Sequence, residues 1–215
     1  MQLYDYYRST ASYRVRIALN LKQISFESIP VHLVRDGGEQ HLPAYRALNP
    51  QGLVPTLIDT EMTETPITQS MAILEYLEEQ YPTPALLPKA PLARAQVRSL
   101  ANLIASDMHP LNNLRVLKQL KTQFNASEED VSTWYHHWLK AGFDAFEARL
   151  KATPRENTNF CDGEQVTYAD ICLIPQVFNA IRFKFSLEPY PLIQAINTHC
   201  LSLQSFQAAA PQAPD

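Results

Sequence analysis

The sequence has no apolar run approaching the roughly 20 residues that span a bilayer. Its opening, MQLYDYYRS, lacks the basic segment followed by an apolar one that marks an export signal. No membrane partner is expected, and the chain is expected in the cytoplasm. A basic stripe is also missing: the formal net charge is −4 and Lys and Arg are dispersed, which argues against a nucleic-acid partner. Cysteine is scarce. Cys161, Cys172 and Cys200 form no CxxC and no zinc-like cluster with histidine, and three cannot all pair. Reduced, buried thiols are expected, with no metal and no catalytic cysteine. There is no internal repeat, and biased composition is confined to the Ala/Pro-rich tail at 208–214, which reads as frayed.

What is present is enough for a sizeable core: 215 residues, 46% of them hydrophobic, allow one domain or two. The most informative stretch is RSTASYRVR, Arg8 to Arg16, directly after a short apolar run that begins at Leu3. Ser9, Thr10 and Ser12 are good N-cap residues, and Val15, Ala18 and Leu19 recur at helical spacing. A helix start has unpaired N–H groups and the positive end of the dipole, so it suits an anion or a thiolate.

The patterning divides the chain. Residues 2–7 and 25–34 read as strands with a helix over 11–22 between them, a βαβ start. A short helix near 40–48, strands at 53–59 and 65–68, and an amphipathic helix at 69–81 with Ile73, Leu74 and Leu77 on one face follow. Proline-rich YPTPALLP (81–88) marks a linker, after which 90–122, 128–151, 167–184 and 189–209 read as helices or helix pairs. The expected division is a domain over 1–81, a linker over 82–89 and an all-helical domain over 90–215.

This arrangement resembles the cytosolic glutathione transferase fold, an α/β plus all-α fold in which a thioredoxin-like N-terminal domain precedes a helical one. The resemblance covers nearly the whole chain. It rests on the hydroxyl cluster, on Val54-Pro55 at the place of that fold's cis-proline, on Gln69-Ser70 opening a helix, and on TYAD (167–170) before an apolar helix. Within that family the chain is most similar to the zeta class, which includes maleylacetoacetate isomerases, and to the related bacterial maleylpyruvate isomerases. The residues that carry this are RSTASYRVRIALN (8–20), ALNPQGLVPTL (47–57), ITQSMAILEYLEE (67–79), HPLNNLRVL (109–117) and YADICLIPQVFNAIRF (168–183). One departure is that Ala11 stands where zeta enzymes typically have cysteine, and Thr10 replaces the serine before it.

The resemblance implies glutathione as cofactor, a keto-dicarboxylate as substrate and a homodimer. It places Ser9, Thr10, Arg8 and Arg182 in catalysis, the two arginines clamping carboxylates for which a planar guanidinium is suited. It places Ser9, Thr10, Ser12, Arg14, Gln40, Val54, Pro55, Gln69, Ser70, His109, Asn113 and Arg115 around glutathione. The reaction it implies is cis-trans isomerisation of a conjugated alkene by thiolate addition, rotation and elimination.

The residues themselves allow plainer readings. Proline 55 could be a trans proline opening an edge strand, and Gln69-Ser70 a simple N-cap. Thr167 with Asp170 has the form of a capping box and is assigned to stability. Tyr4 and Tyr6 alternate with Asp5 and Tyr7 along the strand, so some of these tyrosines are packing residues and Ser9 is the favoured hydroxyl. Arg14 and Arg16 read as structural or rim residues, and a lone histidine such as His109 is more often structural. His109, Asn113 and Val116 are expected on one helix face, with Pro110 kinking it. His136-His137, between Trp134 and Trp138, reads as a solvated or interface face. Maleylacetoacetate and maleylpyruvate remain open as substrates, as does general conjugation, and a non-catalytic ligand-storage or assembly module is the third class.

Overall fold

A computed structural model describes residues 1–152 and 158–212. It resolves into two compact units, Met1–Ala85 with the segment from Ser202 onward, and Leu86–Leu201. The division falls inside YPTPALLP, and the last segment groups with the first unit, not with the helices before it.

The first unit holds a four-stranded sheet in the order β2-β1-β3-β4, from β1 (Gln2–Asp5), β2 (Glu27–Pro30), β3 (Thr56–Ile58) and β4 (Ile67–Thr68). β1 runs parallel to β2, with Leu3 opposite Ser28, and antiparallel to β3, with Leu3 opposite Leu57. The parallel pair needs a crossover, which α1 (Thr10–Leu21) supplies. Ser9 caps α1 from the β region, its Oγ accepting the Ser12 N–H at 3.2 Å. Val15, Ile17, Ala18 and Leu19 are fully buried in the core of this unit with Leu3, Leu57, Ile73, Leu74 and Leu77. α2 (Pro43–Leu48) starts on a proline, and α3 (Ser70–Gln80) packs on α1.

β1 is shorter than the alternation predicts. It ends at Asp5, so Tyr6 and Tyr7 lie in a turn closed by the Ser9 N–H on the Tyr6 carbonyl at 2.8 Å. Asp5 and Tyr6 are therefore both buried, instead of facing opposite sides. Two X-Pro bonds are cis, Val54-Pro55 and Thr83-Pro84.

The helical unit contains α4 (Pro91–Asn102), a π-helical stretch (Leu103–Met108), α5 (His109–Leu111), α6 (Leu114–Phe124), α7 (Glu128–Ala152), α8 (Tyr168–Arg182) and α9 (Pro191–Ser202), whose last residue falls in the first unit. α8 is its core, buried continuously from Tyr168 to Val177 and packed on α4. Its capping box is complete: Asp170 accepts the Thr167 N–H at 2.8 Å, the Thr167 hydroxyl at 2.9 Å and the Cys161 N–H at 2.7 Å. Burial pushes the Asp170 carboxyl pKa up, against these donors, which pull it down. Gly142 lets α7 approach the π-helical stretch, since a Cβ there would collide with the Met108 side chain.

Three expectations fail in physical detail. His109, Asn113 and Val116 do not share a helix: the chain leaves helical conformation after Leu111, and Asn113 caps α6 by accepting the Arg115 N–H at 3.1 Å. The His136-His137 face is mixed and not solvated throughout: His137 is exposed, while half-buried Trp134 donates its indole N–H to the Leu111 carbonyl at 2.8 Å and half-buried His136 its Nε2–H to the Phe183 carbonyl at 2.8 Å. The Ala/Pro-rich tail is not frayed through Ala209. It forms α10 (Gln204–Ala209), which packs on α1 with Phe206 and Ala209 buried; residues 213 and 214 lie outside the described residues.

Candidate active site

The first unit gathers Arg8, Ser9, Thr10, Val54, Pro55, Gln69 and Ser70 at helix starts and at the bend before β3. Ser9 is half-buried at the start of α1. A hydroxyl carries one donor and two acceptor positions. In Ser9 the cap interaction with the Ser12 N–H uses an acceptor position, so the O–H is left to donate outward. Thr10 is the first residue of α1 and is buried. Ser12 is completely enclosed, so its hydroxyl is not presented to a ligand and its part is played by its amide on Ser9.

Ser70 repeats this arrangement. It begins α3, and Arg14, almost fully buried, donates Nη1–H to Ser70 Oγ at 3.2 Å. Arg14 takes one acceptor position of the hydroxyl, whose O–H remains a donor. Arg14 thus acts through Ser70. Gln69, just before it, sits at φ 69°, ψ 114°, a conformation that costs about 1–3 kcal/mol for a residue with a side chain and clusters at ligand sites. Its side chain makes no cap bond; its Nε2–H donates to Gln51 Oε1 at 2.7 Å. The Gln69 amide oxygen therefore faces outward as an acceptor.

The bend before β3 is held from behind. The Leu53 carbonyl accepts from Tyr45 OH at 2.6 Å and from Asn49 Nδ2 at 2.7 Å, which fixes the peptide leading into half-buried Val54 and cis Pro55. Gly52 adopts φ +63°, and a Cβ there would stand 3.0 Å from the Gln40 carbonyl oxygen. Gln40 is buried, its Nε2–H on the Leu33 carbonyl at 3.3 Å, and its Oε1 has no hydrogen-bond partner among the described residues. Like the Ser12 hydroxyl, this oxygen is enclosed and is not presented to a ligand. Gln51, Asn49 and Tyr45 are site-building residues that sequence reasoning missed, although all but Tyr45 lie inside the ALNPQGLVPTL motif.

The tyrosines pack. Tyr6 is edge-on to Tyr7 at 4.9 Å and to His32 at 5.1 Å, and Tyr4 lies 6.0 Å from Tyr45. Burial holds the Tyr6 phenol above its ordinary pKa, so it stays protonated at neutral pH. Arg8 is exposed, with its guanidinium 4.9 Å from the Tyr7 ring centre.

The helical unit carries His109 at the start of α5, the capping Asn113, exposed Arg115 and exposed Arg182. Arg182 ends α8 with its guanidinium 4.9 Å over the Phe183 ring, and Phe183 stacks on Tyr135 at 3.8 Å and 13°. Burial drives the Tyr135 phenol pKa upward, with the Arg182 charge pulling the other way. All three cysteines are buried, and none is in a disulfide. Among the described residues no His/Cys/Asp/Glu group could hold a metal, and no helix is long and apolar enough to cross a membrane.

Ser9 and Ser70 at two helix starts, exposed Gln69 and the Val54 backbone are the hydrogen-bonding groups that this unit sets at its helix starts and at the bend before β3. Family profiles described as the glutathione S-transferase N-terminal domain and C-terminal domain match residues 3–85 and 139–195. A probable maleylacetoacetate isomerase of Vibrio cholerae is 46% identical, covering 98% of this chain and 95% of its own. The holo structure of a maleylpyruvate isomerase, a bacterial zeta-class glutathione S-transferase, superposes with a TM-score of 0.94 at 47% identity, covering 100% of this chain and 98% of its own. A maleylacetoacetate isomerase from Methylobacterium extorquens with bound malonate and glutathione gives 0.94 at 39% identity, covering all of both chains. With its hydroxyls, cis-proline and helix starts in that order, this chain belongs to the zeta class of the glutathione S-transferase family.

Proposed function

We propose that the protein is a glutathione-dependent cis-trans isomerase of a maleyl keto acid, acting on maleylacetoacetate. The observation that carries the reading is the Ser9 hydroxyl, whose acceptor side is filled by the Ser12 N–H and whose proton is available at the start of α1. Bound glutathione supplies a nucleophilic sulfur whose reversible addition to a conjugated alkene lets the former double bond rotate.

The chain's part is to hold that sulfur as an anion. A thiol titrates near pH 8.5, and lowering this by one to two units takes about 1.4 kcal/mol per unit. A helix N-terminus provides roughly 0.3–1 kcal/mol and a hydrogen bond to a charged group about 1.5–3 kcal/mol. The dipole of α1 alone is too weak; with the Ser9 O–H it is enough. Thr10 contributes by its place at the helix start. Ser70 donates to the ligand's carboxylate, Gln69 accepts from its ammonium, and Val54 presents its backbone to the peptide part as an added strand would. Arg8 binds a substrate carboxylate. The family likeness alone assigns Arg182 to the substrate and His109, Asn113 and Arg115 to the ligand.

Maleylpyruvate is the second reading, favoured by the 47% identity and TM-score of 0.94 to the zeta-class maleylpyruvate isomerase. Family membership supports a cytoplasmic homodimer, which sedimentation at micromolar concentration checks. Assaying both maleyl keto acids with and without glutathione tests the function. Glutathione-dependent turnover of maleylacetoacetate as the better substrate is expected; turnover of neither substrate would leave the non-catalytic module.

A further inference from the structure

The turn that carries Ser9 is held from the far end of the chain. Arg16, six residues beyond the start of α1, is buried and bonds through all three guanidinium nitrogens. Its Nη1–H groups meet Asp5 Oδ1 at 2.8 Å and Oδ2 at 2.7 Å, Nη2–H donates to the Tyr7 carbonyl at 3.1 Å, and Nε–H donates to the Ala209 carbonyl at 2.9 Å. Arg16 therefore joins the end of β1, the tip of the turn and the last residue of α10. The tether on Tyr7 is specific in its effect. A peptide unit is planar, so fixing the Tyr7 carbonyl also fixes the Arg8 N–H, and with the Ser9 N–H on Tyr6 it sets the path of the backbone into Ser9.

α10 is itself pinned to α1. Tyr13 OH donates to the Phe206 carbonyl at 3.5 Å, Asn20 Nδ2–H donates to the Ser205 carbonyl at 3.2 Å, and Phe206 is completely buried. Both family profiles leave this helix out, since they end at residues 85 and 195. We propose that α10 is a positioning element of the active site, with Arg16 the positioning residue that passes its hold to the Ser9 turn. The inference rests on the reading of Ser9 as the hydroxyl that serves the thiol.

A lysine is not equivalent to this arginine: a single Nζ can reproduce neither the two-oxygen contact with Asp5 nor the separate positions of Nη2 and Nε toward the Tyr7 and Ala209 carbonyls. Loss of the tether removes no group that contacts a ligand but lets the turn that carries Ser9 relax, and small displacements of this kind cost rate more than binding.

Three variants test it: Arg16→Lys, a chain ending at Leu203, and Asn20→Ala, which loosens α10 at a half-buried position and leaves Arg16 intact. Three readouts are taken on folded protein: hydrogen exchange at the Ser9 amide, glutathione affinity by calorimetry, and the titration of the bound thiol. For Arg16→Lys and the shortened chain, faster Ser9 exchange, a bound thiol that titrates at higher pH, and turnover lower by roughly tenfold or more are expected, with glutathione affinity within about threefold. Asn20→Ala shifts the same readouts in the same direction by less, and it decides the matter if the larger changes prevent folding. A lower melting temperature with unchanged Ser9 exchange and thiol titration would overturn the proposal and leave α10 as packing alone. A wild-type enzyme whose bound thiol titrates no lower than free thiol would instead remove Ser9 from the mechanism, while the exchange result still judges the tether.

Discussion

Two helix starts in this chain follow opposite designs. At α8 the cap is closed: Asp170 takes two amide hydrogens and a hydroxyl in a fully buried site, and Thr167 completes the box. At α3 the cap position is Gln69, which makes no cap bond, stands at φ 69° and is exposed, while Ser70 is primed from behind by Arg14. The first arrangement uses its polar groups on itself. The second leaves them to a ligand and accepts backbone strain to do so. α1 combines both designs in one oxygen, since Ser9 Oγ accepts as a cap and keeps its proton for use. A helix start that satisfies itself serves stability, and one that is left open serves binding.

The largest effect should come from the charge assigned to the substrate. Arg8→Leu is expected to lower turnover of a maleyl keto acid by roughly 2–5 kcal/mol, about 30-fold or more, while conjugation of an uncharged electrophile stays within a few-fold. Steady-state assays on both substrates check this. Equal losses would make Arg8 a structural residue of its turn.

The closed cap should answer only in stability. Asp170→Ala strands the Cys161 and Thr167 amides, and denaturant unfolding is expected to show a loss of about 2–3 kcal/mol with turnover per folded molecule unchanged. The open start should answer mainly in binding. Ser70→Ala is expected to weaken glutathione by about 1.5–3 kcal/mol, in calorimetry roughly 10-fold to 100-fold, with a loss of stability smaller than that of Asp170→Ala, from the one acceptor that Arg14 Nη1–H loses. Exchange of these two outcomes would break the distinction between the helix starts.

The sequence made the local parts of this design readable. Strand alternation, the helix over 69–81 and the Thr167/Asp170 box are properties of neighbouring residues, and the motif order gave the fold. What it hid depends on distance along the chain. The tail at 208–214 looks frayed because Phe206 and Ala209 find their apolar and hydrogen-bonding partners on α1, some 190 residues earlier. Arg16 reads as a structural or a rim arginine, and only Asp5 and Ala209 around it decide for the first. The break after Leu111 is not legible because apolar periodicity continues through it, although Asn113 is a good N-cap residue. Gln51 had no signal of its own: its partner, Gln69, is brought near by the sheet.

The central claim is that the Ser9 O–H stabilises the thiolate. The direct measurement is a pH titration of the ultraviolet absorbance of bound thiolate in the wild type and in Ser9→Ala. The wild-type midpoint is expected about one to two units below the free value near 8.5, and the variant's about one unit or more above the wild type's. The same midpoint in both proteins, with turnover retained, would contradict the account and return the thiol's hydrogen bond to Tyr6 or Tyr7.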